Sequence, residues 1–294
     1  MRESVARLVP DGAAVALGCS LEAAIPFAFA HELIRQQRRD LHLIGPISDV
    51  AFDQLIGAGC VRQVSAAWVG NVSAGLGHAY RRAAERGFPR PLVVHDHSNF
   101  TIAQALLAGA LGAPYIPTRT VLGSDLATAN PTFRVTVSPL DGTPLLLIPA
   151  LVPDVAVVAV QRADADGNAQ LWGPWGVAQE AALAARAVIV IADEIVSHEV
   201  IASDPNRTIV PGFKVSAVVA QRGACHPSPL QGRYARDHEF FHSYHAATRS
   251  VEGLAAWLAE WVTELPDRDA YLAKLGPRWL ALAEPGRPAA EARF

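Results

Sequence analysis

The sequence predicts an α/β protein in which a mainly parallel sheet is flanked by helices. Apolar, strand-like runs alternate with helical stretches rich in alanine and leucine, which favours a parallel sheet covered on both faces. Residues 155–160 form an unbroken apolar run rich in valine, as expected of a strand buried on both faces. Asp166, Gly167 and Asn168 then predict a sharp turn, because glycine and asparagine tolerate positive φ angles.

The predicted elements alternate along most of the chain. We expect strands where short apolar runs end at glycine, proline or polar turns. They lie at residues 15–17, 41–44, 61–64, 92–95, 115–118, 145–148, 155–160 and 188–191, and the last three are expected to be buried. Helices are expected at residues 23–35, 50–57, 79–86, 101–111 and 178–186. Gly87 and Gly112 mark two helix ends, since a left-handed glycine often closes a helix.

The last part of the chain has a different pattern. Apolar residues recur at i, i+3, i+4 and i+7 within residues 251–262, which predicts an amphipathic helix. A second short helix is expected at residues 268–275, ending at Gly276 and Pro277. We therefore expect one α/β domain over residues 1–282, with a C-terminal helical cap at about 250–282 and a disordered tail at 283–294.

Composition limits the possible classes of function. Hydrophobic residues make up 51% of the 294 residues and charged residues 18%, so the chain can bury a large core. A net charge of −3 gives no electrostatic footprint for nucleic acid or an anionic membrane. Cys19, Cys60 and Cys225 are far apart and form no Cys-x-x-Cys motif, which fits reduced thiols in a cytoplasm. We find no apolar signal core at the N-terminus and expect a cytoplasmic protein.

Polar and glycine-rich loops follow several predicted strands. In a parallel sheet these loops meet at the carboxyl ends, where ligands of α/β proteins bind. Glycine lets the backbone approach a ligand, amide and hydroxyl groups suit a carboxylate, and an arginine suits a carboxylate or phosphate. The alternatives without a functional role are ordinary turns, polar loops and a surface salt bridge. The candidate substrate-binding residues are Gly18, Cys19, Ser20, Gly70, Asn71, Ser73, Ser98, Asn99, Arg119 and Gly123.

Two groups of histidines raise the alternative of a metal site. His95 and His97 are two residues apart after a predicted strand, and a hydrogen-bonded pair explains them as well as a metal does. His238, His242 and His245 would share one face of a helix. Phe240, Phe241 and Tyr244 are interleaved with them, which favours an aromatic packing or subunit-contact segment. We predict no metal at either place.

An ordered series of motifs carries a resemblance to a known family. The run from Asp154 to Asn168 is followed by Asp204-Pro-Asn, Val210-Pro-Gly and Gly223-Ala-Cys-His-Pro. Further motifs lie earlier and later in the chain: Ala113-Pro-Tyr-Ile-Pro, Leu122-Gly-Ser and Tyr271-Leu-x-x-Leu-Gly. Over roughly residues 8–282 the chain resembles the α subunit of family I CoA-transferases of the glutaconate type. The resemblance implies the CoA-transferase (NagB/RpiA-like) fold.

The resemblance also implies a division of labour between two chains. In such enzymes a glutamate of the β subunit, within a Glu-x-Gly-x-x-Gly motif, attacks the acyl-CoA thioester. This chain has no such motif, so we expect an α subunit that shapes the acyl pocket and holds no catalytic residue of its own. The expected partners are a β subunit, an acyl-CoA and a carboxylic acid, in a heterotetramer or larger complex. Coenzyme A is then a substrate, and no cofactor is expected.

Alternative interpretations stay open. The same superfamily contains a ring-opening CoA-thioester hydrolase whose α subunit carries a catalytic glutamate, but Asn99 aligns with that position here and is no base. A non-catalytic small-molecule-binding or scaffold module is the alternative from another class, although no helix-turn-helix pattern or basic patch supports a regulator. Glu194 is the best nucleophile within the chain, yet the family match makes it structural. Cys19 has no neighbouring base that would form a thiolate.

Overall fold

The computed structural model describes residues 1–283, which form fourteen strands and a set of helices. The strands are β1 (Ala14–Leu17), β2 (Leu41–Ile44), β3 (Val61–Ala66), β4 (Gly70–Asn71), β5 (Gly75–Leu76), β6 (Val93–Asp96), β7 (Tyr115–Thr118), β8 (Arg134–Val137), β9 (Pro144–Pro149), β10 (Val155–Ala163), β11 (Ala169–Gln170), β12 (Ala187–Ile195), β13 (Thr208–Val210) and β14 (Val215–Ala220). The α-helices are α1 (Arg2–Leu8), α2 (Phe27–Arg35), α3 (Asp49–Gly57), α4 (His78–Arg86), α5 (Asn99–Ala110), α6 (Leu126–Ala129), α7 (Ala178–Ala184), α8 (His198–Ala202), α9 (His238–Ala247), α10 (Val251–Leu258), α11 (Arg268–Leu275) and α12 (Pro277–Leu282).

The main sheet confirms the predicted fold class. Seven parallel strands lie in the order β14-β12-β10-β1-β2-β3-β6, and the short strands β11 and β13 extend β10 in antiparallel pairing. The predicted buried run begins β10, between β1 and β12, and each of its residues is buried. Valine and alanine fit this position because both faces of a central parallel strand are covered by other elements. Helices flank the sheet, so the prediction of a mainly parallel α/β sheet is confirmed.

The strand at residues 145–148 differs from its prediction. It belongs to a separate three-stranded antiparallel sheet, in the order β7-β9-β8. Leu146 and Ile148 are buried, whereas Leu145 and Leu147 are only half-buried. The prediction of a fully buried strand was wrong because the outward positions also carry leucine, which hides the alternation typical of a half-buried strand.

The C-terminal part is helical, with different boundaries from those predicted. The amphipathic helix α10 ends at Leu258 and continues as a π-helical turn over Ala259–Thr263. Helix α11 has the predicted bounds. Gly276 and Pro277 separate two helices and do not end the helical region, because proline is tolerated at the first position of α12. Residues 284–294, which make up nearly all of the expected tail, lie outside the described residues.

No helix within residues 1–283 combines the length and apolar character needed to cross a bilayer.

Candidate functional site

The loops that leave the carboxyl ends of β1, β2 and β3 lie against one another. Gly18 follows β1 with a φ angle of +68°, and a Cβ atom at this position would lie 2.8 Å from Ser48 Oγ in the loop after β2. Ser48 in turn donates a hydrogen bond of 2.8 Å to the carbonyl oxygen of Leu17. Only glycine allows both the left-handed conformation and this close approach, so the turn after β1 and the loop after β2 form one surface.

The turn at Gly18–Ser20 offers main-chain donors to a ligand. Cys19 and Ser20 are both buried, and neither of their N–H groups donates a hydrogen bond to any acceptor within residues 1–283. The Cys19 carbonyl oxygen accepts a bond of 2.8 Å from Val177 N. A buried N–H without an acceptor is rare in a folded chain, which agrees with the prediction of substrate contact at this turn; that role stays a prediction.

The Cys19 thiol is unsuited to nucleophilic catalysis. Burial raises its pKa to about 12, and the negative charge of Glu180 adds to that shift. The thiol is therefore protonated at neutral pH, in agreement with the absence of a base near Cys19 in the sequence.

A buried ion pair that the sequence analysis missed stabilises the same edge. Asp49 Oδ2 accepts a hydrogen bond of 2.6 Å from Arg236 Nη2, with the aspartate fully buried and the arginine side chain 10% exposed. The other carboxylate oxygen accepts bonds from Val50 N at 3.0 Å and Val72 N at 3.2 Å. Burial raises the pKa of the Asp49 carboxyl, and the Arg236 guanidinium opposes that shift. Asp49 directly follows the β2 loop, so the strand-end argument could have found it.

Arg236 links this ion pair to the predicted residue Ser73. Its Nη2 and Nε atoms lie 3.0 Å and 3.3 Å from Ser73 Oγ, and its guanidinium carbon lies 3.8 Å from the centre of the Phe241 ring. Asp49 also adopts a φ angle of +46°, an uncommon conformation for a residue other than glycine. Nothing in the sequence signals the pairing, because the two residues are 187 positions apart.

Gly70 and Asn71 form β4, which pairs with β5 in a small hairpin. A Cβ atom on Gly70 would lie 2.8 Å from Gly75 O, so the hairpin requires glycine there. Asn71 is buried, donates a bond of 2.6 Å to Phe241 O and accepts one of 3.0 Å from Ser73 N. Its amide therefore connects the hairpin to α9, and its assignment to substrate stays a prediction.

The loop after β6 carries Ser98 and Asn99. Ser98 caps α5: its Oγ accepts a bond of 3.0 Å from Thr101 N, and Thr101 Oγ1 accepts one of 2.8 Å from Ser98 N. Asn99 is exposed and remains available to a ligand. His97 is buried against Thr101 and Phe133, and burial lowers its pKa to about 4. A neutral, packed imidazole fits the hydrogen-bonded interpretation of this histidine.

Arg119 and Gly123 lie apart from the other candidates. Arg119 follows β7 in the small antiparallel sheet, where its side chain is exposed and forms no ion pair within residues 1–283. Gly123 has a φ angle of +82°, and a Cβ atom added there would have no neighbour within 4 Å. The chain thus brings Gly18, Ser73 and their neighbours together at one edge, and it places Arg119 and Gly123 on another sheet.

The turn that opens the family resemblance has a structural role. Asp164 accepts two bonds of 2.8 Å from Asn168, one from its N–H and one from its side-chain amide. The Asn168 oxygen accepts a bond of 2.9 Å from Gly212 N. Asp164, Asp166 and His198 have side-chain ligand atoms within 4.8 Å of one another, the one such group found in residues 1–283. The Asp164 oxygens are already hydrogen-bonded, so this group is explained by the turn itself.

The remaining sequence candidates are engaged in contacts within the chain. Glu194 lies in β12 and forms an ion pair of 2.6 Å with Arg233. Phe240, Phe241 and Tyr244 lie in α9 and are all buried in the core. The subunit-contact interpretation of these aromatic residues was wrong, because they pack inside the chain on Trp257 and other rings.

Comparison with known proteins gives one family. A family model described as coenzyme A transferase matches residues 1–221. The A subunit of 3-oxoadipate CoA-transferase from Pseudomonas knackmussii is 39% identical over 275 residues, which cover 94% of this chain and 96% of the relative. The A subunit of glutaconate CoA-transferase from Acidaminococcus fermentans is 30% identical over 292 residues, covering 94% of this chain and 91% of the relative.

Structural comparison agrees with this result. The crystal structure of glutaconate coenzyme A-transferase from Acidaminococcus fermentans matches with a TM-score of 0.90 and 30% sequence identity. The match covers 96% of this chain and 94% of the other. The chain therefore belongs to the coenzyme A transferase family, as its motifs predict.

Proposed function

We propose that this chain is the α subunit of a two-chain acyl-CoA:carboxylate CoA-transferase. The observation that carries the proposal is the match over nearly its whole length to the corresponding chain of 3-oxoadipate CoA-transferase, at 39% identity. The second relative is named for glutaconate, which like 3-oxoadipate is a dicarboxylate. We therefore take the substrates to be a short dicarboxylic acid and its CoA thioester.

The nucleophile comes from the second chain. Transfer needs a free carboxylate, and the two carboxylates described above are engaged: Asp49 is bound to Arg236, and Glu194 is bound to Arg233. The Cys19 thiol is protonated at neutral pH. A glutamate of a β subunit, in a Glu-x-Gly-x-x-Gly motif, supplies the carboxylate that this chain lacks.

The reaction is a sequence of acyl exchanges without oxidation or reduction. The glutamate oxygen attacks the thioester carbonyl, the C–S bond breaks, and CoA leaves as a thiolate with an acyl–glutamyl anhydride in place. The thiolate then attacks the glutamyl carbonyl and releases the first acid as a carboxylate, which leaves a glutamyl–CoA thioester. The carboxylate of the acceptor acid then attacks the glutamyl–CoA thioester and displaces the CoA thiolate, which forms a new anhydride. The thiolate attacks the acyl carbonyl of this anhydride, which gives the new acyl-CoA and frees the glutamate.

The role of this chain is to bind and orient the acyl group. The unengaged N–H groups of Cys19 and Ser20 suit a carboxylate or a developing oxyanion. The proposed substrate-binding set remains Gly18, Cys19, Ser20, Gly70, Asn71, Ser73, Ser98, Asn99, Arg119 and Gly123. Three buried, free cysteines support a reducing, cytoplasmic setting, and the two relatives, each one chain of a multi-chain enzyme, support a hetero-oligomer, which we take to be a heterotetramer or larger.

An exchange assay tests this proposal. The chain is purified alone and co-purified with the co-encoded chain that carries the Glu-x-Gly-x-x-Gly motif. We expect CoA exchange between a dicarboxylyl-CoA and a labelled free acid only when both chains are present. Changing the motif glutamate to glutamine should abolish exchange, while Cys60→Ala, as a control at a buried cysteine outside the proposed binding set, should retain it. Full exchange by this chain alone, or thioester hydrolysis without exchange, contradicts the proposal.

A further inference from the structure

Exposed apolar side chains are concentrated in one part of the chain. Of the 18 large hydrophobic side chains that are exposed within residues 1–283, ten lie between residues 88 and 152. Val135 and Val137 on β8 are 61% and 62% exposed, and Leu111 at the end of α5 is 69% exposed. Single exposed hydrophobic residues are normal, but exposed hydrophobic residues that lie together in space indicate a surface that is covered by another molecule.

The same segment is poor in charge. Only six of the 65 residues from 88 to 152 are charged, three basic and three acidic, whereas charged residues make up 18% of the whole chain. Depletion of charge is typical of the centre of a protein–protein interface. The even balance of signs gives no attraction to nucleic acid or to an anionic membrane.

This surface also contains the free edges of two sheets. Within residues 1–283, β6 pairs only with β3, and β8 pairs only with β9. Both strands therefore expose main-chain donors and acceptors beside apolar side chains, namely Val93 on β6 and the two valines on β8. Proteins rarely leave an apolar edge strand uncovered, because it pairs readily with other chains.

The surface is continuous with the candidate site. Asn130, which precedes β8, donates a hydrogen bond of 2.7 Å to Asp96 O at the end of β6. The Phe133 ring packs edge-on against His97, with ring centres 5.3 Å apart. The small sheet is thus attached to the loop that carries Ser98 and Asn99. A protein docked on this surface lies directly beside the carboxyl ends of the parallel strands.

We infer that β6, β8 and the segment around Phe100, which we call the open face, form the docking surface for the β subunit. The identity of this occupant rests on the proposed function, which requires a second chain to bring a glutamate to the strand ends. The open face satisfies that requirement because it is apolar, poor in charge and adjacent to the site. The aromatic residues of α9 cannot form this docking surface, because they are buried.

Paired substitutions test the open face. Val135→Glu with Val137→Glu places two charges on an exposed edge strand, where they should leave the isolated chain folded. Phe213→Glu is the matched control, because Phe213 is 88% exposed but lies in a short turn before β14. Affinity for the Glu-x-Gly-x-x-Gly chain is measured by calorimetry or light scattering, and the fold of each variant by its thermal midpoint.

We expect the double variant to bind the partner chain at least 100-fold more weakly and Phe213→Glu to bind as the unchanged protein does. Equal affinity of the folded double variant and the unchanged protein overturns the inference. A stable dimer of this chain alone that the double variant dissociates also overturns it, because the open face then binds a second copy. These results measure binding, so a complex that assembles through the open face but catalyses no exchange refutes the proposed function and leaves the docking surface intact.

Discussion

The carboxyl edge of the parallel sheet and the open face differ in how far contacts within the chain engage their side chains. At the edge, a buried arginine meets a buried aspartate, and glycine allows loops to approach closely. On the open face, large apolar side chains such as Val135 and Val137 face solvent. The difference indicates that contacts within the chain hold the edge in place, whereas the open face needs a second protein to cover it.

The largest expected effect is at the carboxyl edge of the parallel sheet. Arg236→Met leaves the buried Asp49 carboxylate without its counter-ion, which should lower the free energy of unfolding by about 3–5 kcal/mol. Urea unfolding of the isolated chain measures this loss. Adding Asp49→Asn should recover part of the stability, because the uncompensated charge is then removed. A single Arg236→Met variant as stable as the unchanged chain would show that the edge is not fixed by this pair.

A pH titration examines the junction between the two regions, where His97 packs against Phe133. Burial lowers the pKa of His97 to about 4, from about 6.5 in an unfolded chain. Between these values the unfolded state binds the proton and the folded state does not, so stability should fall as the pH decreases from 6.5 to 4. His97 alone should lower the free energy of unfolding by about 1.4 kcal/mol per pH unit, roughly 3 kcal/mol over the whole window.

His97→Gln is the variant that isolates this contribution. Its urea-unfolding free energy should depend less steeply on pH across the same window, while other buried histidines keep part of the slope. An unchanged slope means that His97 is as easily protonated in the folded chain as in the unfolded one.

Arg119→Ala tests a predicted substrate contact that lies outside both regions. The isolated chain should lose less than about 0.5 kcal/mol, since the side chain is exposed and unpaired within residues 1–283. In the assembled enzyme, the loss of a charged hydrogen bond should weaken substrate binding by about 1.5–3 kcal/mol, seen mainly as a higher KM. Unchanged kinetics with a less stable complex would make Arg119 a contact with the partner.

Asn71→Ala is the corresponding test of a predicted substrate contact at the carboxyl edge of the parallel sheet. Its amide bonds to Phe241 O within the chain, so the isolated chain should be destabilised by about 1–3 kcal/mol. If the stability of the isolated chain is unaffected and KM alone rises, Asn71 serves the substrate more than the fold.

A pair of glycine variants separates backbone strain from close packing. Gly18 and Gly123 have φ angles of +68° and +82°, but only Gly18 has a neighbour, Ser48 Oγ, at 2.8 Å from a Cβ position. Alanine should cost about 1 kcal/mol at both positions for the left-handed backbone. At Gly18 it should cost about 1–3 kcal/mol more for the steric conflict. Equal thermal unfolding of the two variants would show that the turn after β1 tolerates a side chain.

Local sequence patterns predicted much of this arrangement. Residues 155–160 are apolar at every position, which was enough to predict their burial in β10. The segments holding Gly18, Asn71 and Ser98 follow strands of the main sheet, and the expectation that binding residues follow strand ends found them. The pairing of Asp49 with Arg236 could not be predicted, because it joins distant segments and neither residue has a local pattern. The small sheet was missed because Leu145 and Leu147 face outward yet are apolar.

The aromatic residues of α9 also show that local sequence does not predict which apolar side chains are exposed. Composition indicated that this chain can bury a large core, but it could not show which apolar residues stay exposed. Phe240 and Phe241 are conspicuous in the sequence and lie in the core. Val135 and Val137 are unremarkable in the sequence and are exposed. Which apolar residues face solvent depends on tertiary packing, which no short window of sequence encodes.

Hydrogen exchange of this chain, alone and assembled with the Glu-x-Gly-x-x-Gly chain, tests most directly whether a partner completes the open face. We expect the amides of β6 (Val93–Asp96) and β8 (Arg134–Val137) to exchange markedly more slowly on assembly. Amides of the β4–β5 hairpin should change little until an acyl-CoA is added. Slower exchange confined to α9 and α10, with β6 and β8 unchanged, contradicts the account.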